Sequence, residues 1–288
     1  MTSGSETIAQ FLRMRRSLLD PAELGYPSER RRVSGLRRDE LAELASISAD
    51  YYIKIEQGRG QRISDQVLAS LARALDLDDH LRNYFYRLAR PTATLPAQSW
   101  EARPVSDIVL SLLKANVQQP VFVFDSNQDI VAINEMADFL LPHYAMWGDN
   151  ILLTTFAVPR ELQQASENWQ EIARRAVAAL RFHGDPGHPR FQQIVSQLSS
   201  TSEYFRQLWA EHDARPHTSG PTWIGVDGFG PVEFTSVALD IPDGFFMVVL
   251  PAEPGTPAFD VLEHFRTNRV TGRAVRGPLA GWPSTASR

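Results

Sequence analysis

Leu41-Ala42-Glu43-Leu44-Ala45-Ser46-Ile47-Ser48-Ala49-Asp50-Tyr51-Tyr52-Ile53-Lys54-Ile55-Glu56-Gln57-Gly58 holds two short helical patterns that meet across a tight turn. Leu41, Leu44 and Ala45 recur at helical spacing, and Tyr52 and Ile55 form a second apolar stripe, so both stripes are expected to face inward. Ser48 stands where a helix N-cap is wanted and Gly58 where a helix ends, which bounds the second helix at about residues 49–57. This layout predicts a helix-turn-helix whose second helix is short enough to lie in a DNA groove. With Tyr52 and Ile55 inside, Ala49, Asp50, Ile53, Lys54 and Gln57 point outward or sideways as candidate base readers.

The periodicity continues on both sides. Ile8, Phe11, Leu12, Leu18 and Leu19 predict a helix over roughly residues 6–19. Ser64 and Asp65 open another, with Val67, Leu68, Leu71, Ala72 and Leu75 as its stripe, and Asp78 or Asp79 opens a fifth, with Leu81, Tyr84, Phe85 and Leu88. Residues 91–104 have little periodicity and read as a linker. Beyond them come a short helix marked by Ile108, Leu112 and Leu113, and two strands at 120–125 and 129–134 joined by the turn Ser126-Asn127-Gln128. Helical segments are expected at 135–141, 160–183, 189–199 and 201–213, and three strands at about 222–226, 232–241 and 244–251. The fold class is therefore α+β in two domains: an all-α five-helix domain over 1–90, and an α/β domain with an antiparallel sheet over 105–266. Residues 267–288, rich in Gly, Pro, Arg and Ser, read as a flexible tail.

The 288 residues suit two cores, and a 43% hydrophobic content suffices to fill them. No apolar run approaches the roughly 20 residues of a membrane span, and the N-terminus lacks the apolar core of a signal peptide, so a cytoplasmic protein with no membrane partner is expected. The absence of cysteine excludes disulfides, thiolate metal sites and cysteinyl cofactor adducts. Charge is uneven: residues 1–90 carry 15 Lys+Arg against 13 Asp+Glu, and residues 91–288 carry 14 against 21. Arg30, Arg31, Arg32, Arg37 and Arg38 precede or open the first helix of the motif, and Arg59 and Arg62 follow the second, where they could neutralise phosphates.

Leu41-Ala42, Ile47-Ser48 and Ile55-Glu56-Gln57-Gly58 resemble the Cro/repressor, or XRE, type of helix-turn-helix. Arg31-Arg32-Val33-Ser34-Gly35-Leu36-Arg37-Arg38, Asp50-Tyr51-Tyr52, Trp169-Gln170-Glu171-Ile172-Ala173, the run Phe205 to Asp213 and Ala252 to Pro257 are similar to MmyB-like transcription regulators, over about residues 8–266. The sequence departs at Ser46, where that family's turn usually has Gly; modest backbone strain is expected there. The resemblance implies an N-terminal domain that binds double-stranded DNA and a C-terminal PAS-like domain that encloses a small molecule.

The implied DNA-binding residues are Arg38, Ser48, Ala49, Asp50, Tyr51, Lys54, Gln57, Arg59 and Arg62. Lys54 can reach guanine acceptors, Asp50 can accept from a cytosine amino group, Ala49 can touch a thymine methyl, and Arg38 matches a phosphate-contacting position. Glu56 is better explained by an ion pair with Arg37 or Arg38 than by contact with DNA. In the second domain the candidate ligand-binding residues are Phe122, Phe124, Asn134, Trp147, Phe205, Arg206, Trp209, His212, Phe234 and Phe246; aromatic groups would wall a cavity, and Asn134, Arg206 and His212 would anchor a head group. Such a pocket suits a fatty acid or similar amphipathic metabolite. His183-Gly184-Asp185-Pro186-Gly187-His188 has no standard zinc spacing and reads as a turn, and there is no nucleophile motif, phosphate loop or dinucleotide fingerprint. The expected function is a non-enzymatic, ligand-responsive regulator acting as a homodimer on a short palindrome. The alternative is a ligand-free regulator whose second domain serves dimerisation or partner binding.

Overall fold

In the computed structural model the described residues are 4–26, 31, 33–59, 63–90, 105–141, 150–157, 167–241 and 244–270. They form an α+β protein whose contacts divide it into two compact units, one of Met1–Glu101 with Glu203–Pro216, the other of Ala102–Ser202 with His217–Arg288.

The first unit is helical: α1 (Gly4–Leu18), α2 (Arg38–Leu44), α3 (Ala49–Glu56), α4 (Asp65–Ala74) and α5 (Asp79–Ala89). Polar side chains begin these helices by accepting from orphan backbone N–H groups. Ser48 accepts from Tyr51, Ser64 from Val67 and Asp78 from Leu81, and Glu40 reaches back to the Arg37 N–H at 2.6 Å. Phe11, Leu12, Leu36, Leu41, Tyr52, Leu71, Leu75 and Phe85 are wholly buried. Phe11 stacks on Phe85 at 5.6 Å and meets Tyr84 edge-on, so α1 is held to α5 by aromatic contact. Gly35 is obligatory: a Cβ there would stand 2.5 Å from the Arg16 carbonyl oxygen and the Ser17 Cα. Leu44 and Leu18 are exposed rather than inward; Leu41 and Ala45, one turn apart, are the buried positions at the end of α2.

The second unit is built on a five-stranded antiparallel sheet in the order β2-β1-β5-β4-β3. Its strands are β1 (Val121–Phe124), β2 (Ile130–Ile133), β3 (Gly220–Val226), β4 (Gly230–Ile241) and β5 (Phe245–Val249). Between β2 and β3 in the chain run α7 (Glu135–Leu140), α8 (Ile151–Ala157), α9 (Glu167–His183), α10 (Pro189–Thr201) and α11 (Glu203–Ala210), the last of which groups with the first unit; α6 (Asp107–Ala115) precedes β1 and α12 (Pro257–Val270) follows β5. Alternation along the strands separates two cores. Phe122, Phe124, Phe234 and Phe246 pack with residues of α7 and α12, while Val121, Val123, Phe245 and Met247 pack with Val109 and Leu113 of α6. Of the residues that marked α6 in the sequence, Leu113 is buried, together with Val109, whereas Ile108 and Leu112 face solvent. Among the described residues no helix is long and apolar enough to cross a membrane.

Candidate functional site

The helix-turn-helix is fixed from beneath by one carboxylate. Glu56, only 1% exposed, receives Arg16 through Nη2 at 3.1 Å and Nε at 3.3 Å, and Arg38 through Nε at 3.1 Å, with Arg13 at 3.6 Å. Burial alone would raise the Glu56 pKa, but the bonds from Arg16 outweigh it and hold the group below the usual carboxylate range. Burial pushes the Tyr52 phenol above its ordinary value, and the nearby Glu56 charge adds to that. The expected Glu56–Arg38 pair is therefore present, and Arg16, which no local pattern singles out, is its better-buried partner. Arg31 is likewise committed to Glu40 and to the Gly35 carbonyl, with its side chain 7% exposed, so it is a structural cation and not the phosphate contact its run suggested.

Above this anchor the candidate readers sit on α3. Asp50, Lys54, Gln57 and Arg59 are exposed, Ala49 and Tyr51 are half-buried, and the Ser48 hydroxyl is occupied as the helix cap at 3.2 Å. Arg38 keeps half its side chain in solvent while bonded to Glu56, which fixes the guanidinium at the start of α2. Arg62 lies outside the described residues. A helix-turn-helix needs a short helix with exposed N-terminal side chains and cations beside it, and these residues supply them.

In the second unit the four phenylalanines expected to line a cavity share one core, with Phe124 and Phe246 paired across β1 and β5 and stacked at 5.0 Å. His217 stacks on Phe246 at 3.5 Å and on His183 at 4.9 Å, and its backbone N–H donates to the His183 Nε2. Burial, and secondarily His183, pushes the His217 pKa down to about 3, so the ring is neutral at physiological pH. Sequence reading missed this pair; His183 was legible only as part of a turn.

Residues 105–264 match the family model described as the MmyB-like transcription regulator ligand binding domain, and residues 8–85 match a helix-turn-helix domain model. The chain belongs to the MmyB-like transcription regulators. It is a DNA-binding regulator with a ligand-binding domain, and neither matching family is enzymatic. Comparison with curated proteins gave no match.

In this MmyB-like regulator the ligand candidates do not all come together. Asn134 is 7% exposed and saturated: its Oδ1 accepts from Val121 and Ala137, and its Nδ2 donates to Asn116 and Gln119. It caps α7 and ties β2 to β1, which leaves no valence for a head group. Phe205, Arg206, Trp209 and His212 belong to the segment Glu203–Pro216, which groups with the helical unit and not with the four phenylalanines. Phe205 is buried and stacks on Trp209 at 5.6 Å, Arg206 is exposed, and His212 takes a left-handed φ of 51°. Trp147 lies outside the described residues. In the loop after α9, the His188 Nδ1 caps α10 by accepting from Arg190, and Asp185 accepts from Gly187, which accounts for both side chains as turn chemistry.

Proposed function

We propose that this regulator binds a short palindromic operator as a homodimer, and that an apolar or amphipathic molecule such as a fatty acid, held in a PAS-like second domain, changes that binding. The observation that carries the coupling is the segment Glu203–Pro216: it falls within the stretch matched as ligand-binding, yet its contacts group it with the DNA-binding helices. Arg215 donates to the Asp78 carboxylate at 2.8 Å, and Asp78 is the residue that starts α5. Two residues further on, His217 enters the aromatic core beside Phe246. A ligand can act only by binding two arrangements with different affinity, and this segment supplies an element able to differ between them.

The DNA side of the proposal takes Arg38, Ser48, Ala49, Asp50, Tyr51, Lys54, Gln57, Arg59 and Arg62 as contacts. Two half-sites about one helical turn apart would be read, because one such motif covers too few base pairs for specificity. On the ligand side the candidates retained are Phe122, Phe124, Phe234 and Phe246. The sheet order and the helices between β2 and β3 support the PAS-like description.

The test is to extract the purified protein under denaturing conditions, identify released molecules by mass spectrometry, and measure operator affinity with and without them. A released molecule that alters operator binding supports the proposal; an empty extract and an operator affinity indifferent to added amphiphiles would sink its ligand half. The second reading, a dimerisation module without a ligand, is favoured by α6, where Ile108 and Leu112 stand one turn apart and are 76% and 56% exposed. It predicts a dimer that Ile108→Asp and Leu112→Asp convert to monomer with no small molecule involved.

A further inference from the structure

Glu56 gathers more positive charge than it can neutralise. Its Oε1 accepts from the Arg16 Nη2 and the Arg38 Nε, each at 3.1 Å, its Oε2 accepts from the Arg16 Nε at 3.3 Å, and the Arg13 Nε stands 3.6 Å from the same Oε1. Three guanidinium groups around one carboxylate leave an excess of two positive charges where α1, α2 and α3 meet. The fold needs only the innermost of the three: Arg16 is buried and donates to the Leu36 carbonyl as well, so it ties α1 to the segment that leads into α2.

Arg13 has no such structural task. A separation of 3.6 Å is too long for a hydrogen bond, nothing among the described residues accepts one from its guanidinium, and its side chain is 58% exposed. The chain nevertheless fixes where it stands. Arg13 precedes Arg16 by three residues on α1, so both side chains leave one face of the helix. Arg13 and Arg38 approach the same oxygen, at 3.6 and 3.1 Å, so these two half-exposed cations stand side by side, no further apart than the sum of those distances.

The surface at Arg13 is open. A cleft of about 550 Å³, wholly within the helical unit, is lined by Gln10, Arg13 and Ser17 of α1, by Ser34 and Gly35 before α2, and by His212, and none of the residues lining it is acidic. The exposed Gln10 and Ser34 side chains add neutral donors beside the guanidinium. A guanidinium carries five donors and no acceptor, so an exposed one with its donors unspent, a like charge beside it and an acid-free cleft in front suits an anion. In a protein that binds DNA, with Arg38 in a phosphate-contacting position next to it, that anion is the nucleic-acid backbone.

We propose that Arg13 is a further DNA contact, neutralising a backbone phosphate next to the one at Arg38, and that the operator interface therefore extends from α2 and α3 onto α1. The proposal rests on the reading of α3 as the helix that reads the operator and of Arg38 as a phosphate contact.

The experiment measures the affinity of the full chain for a duplex selected from random DNA, and for a random duplex, across a series of salt concentrations. Each neutralised phosphate adds about 0.9 to the slope of log affinity against log salt. Arg13→Ala should lower that slope by about one and weaken both duplexes alike, by about eight-fold at about 0.1 M salt, with the difference closing toward about 1 M. Arg13→Ala with Arg38→Ala should lower the slope by about two. Arg13→Lys should restore most of it, because a point charge serves a phosphate, and Arg13→Gln should not. Arg13→Ala should unfold in denaturant like wild type, since the side chain is exposed and makes no hydrogen bond. A wild-type slope in Arg13→Ala overturns the assignment even where affinity falls, because the loss then comes through the fold. A loss confined to the selected duplex makes Arg13 a base reader and also overturns it. So does DNA binding left intact in Arg13→Ala while inorganic phosphate raises the melting temperature of wild type alone, which would make the cleft a site for a free anion. Failure of the underlying reading looks different: Arg38→Ala and Lys54→Ala would then leave operator binding unchanged as well.

Discussion

Ser46 occupies φ 54°, the left-handed conformation that ends α2, and its N–H donates to the Glu43 carbonyl while Ile47 donates to Ala42. The same paired bonds end α3 at Gly58 and α4 at Asp76, so one of three like positions has glycine and two do not. A left-handed L-residue costs about 1–2 kcal/mol, offset in part by the greater freedom glycine has when unfolded. Ser46→Gly should therefore stabilise the protein by about 0.5–1 kcal/mol in denaturant unfolding; a neutral or destabilising result would show that the hydroxyl contributes something the turn needs. His217 gives a second residue-scale expectation. Its folded pKa of about 3 lies below its ordinary 6.5, so the unfolded chain takes up the proton first. Its contribution to stability is complete above about pH 6.5 and is lost as the pH falls toward 3, at up to about 1.4 kcal/mol per pH unit. His217→Phe should flatten the acid limb of the stability profile, and an unchanged limb would place the titration elsewhere.

At the level of elements, Glu56 joins α3 to α1 through Arg16 and to α2 through Arg38. Its removal leaves Arg16, 8% exposed, without its carboxylate, and breaking a buried pair from one side typically costs about 3–5 kcal/mol. Glu56→Ala should lose stability on that scale, whereas the exposed Lys54→Ala should unfold like wild type, cost about 1–3 kcal/mol of operator binding and relax sequence preference. Arg38→Ala should weaken specific and random DNA alike; if Lys54→Ala did the same, Lys54 would be a phosphate contact. The contrast explains what the sequence revealed. Helix starts were legible because a cap is local: Ser48, Ser64 and Asp78 each act on a residue three places on. Arg16 lies forty positions from Glu56, and no local pattern joins them. The helix α8 was missed because Ile151-Leu152-Leu153-Thr154-Thr155-Phe156-Ala157 has no polar face to give it a period, and it begins only because Asn150 accepts from Leu152 and Leu153.

For the whole molecule, chain order suggested that everything after the linker serves one domain, and the family match over 105–264 follows the same order. Contacts divide the chain otherwise, since burial of Phe205, Leu208 and Ala214 depends on where an amphipathic segment finds apolar surface, which sequence does not state. The segment is held at its end by Arg215 on Asp78 and Asp213, charges that are roughly half-exposed. Exposed pairs contribute about 0–1 kcal/mol, so Arg215→Ala should scarcely move the melting temperature, and Asp78 keeps its bond from the Leu81 N–H. If the segment relays ligand binding, the same substitution should leave both operator affinity without ligand and ligand affinity near wild type, while shrinking the ratio of operator affinities measured with and without the extracted ligand. That ratio is a coupling free energy, usually about 1–3 kcal/mol, and it must fall equally when read from either side of the linkage. A ratio unchanged in Arg215→Ala would show that the ligand reaches the DNA-binding helices by another route.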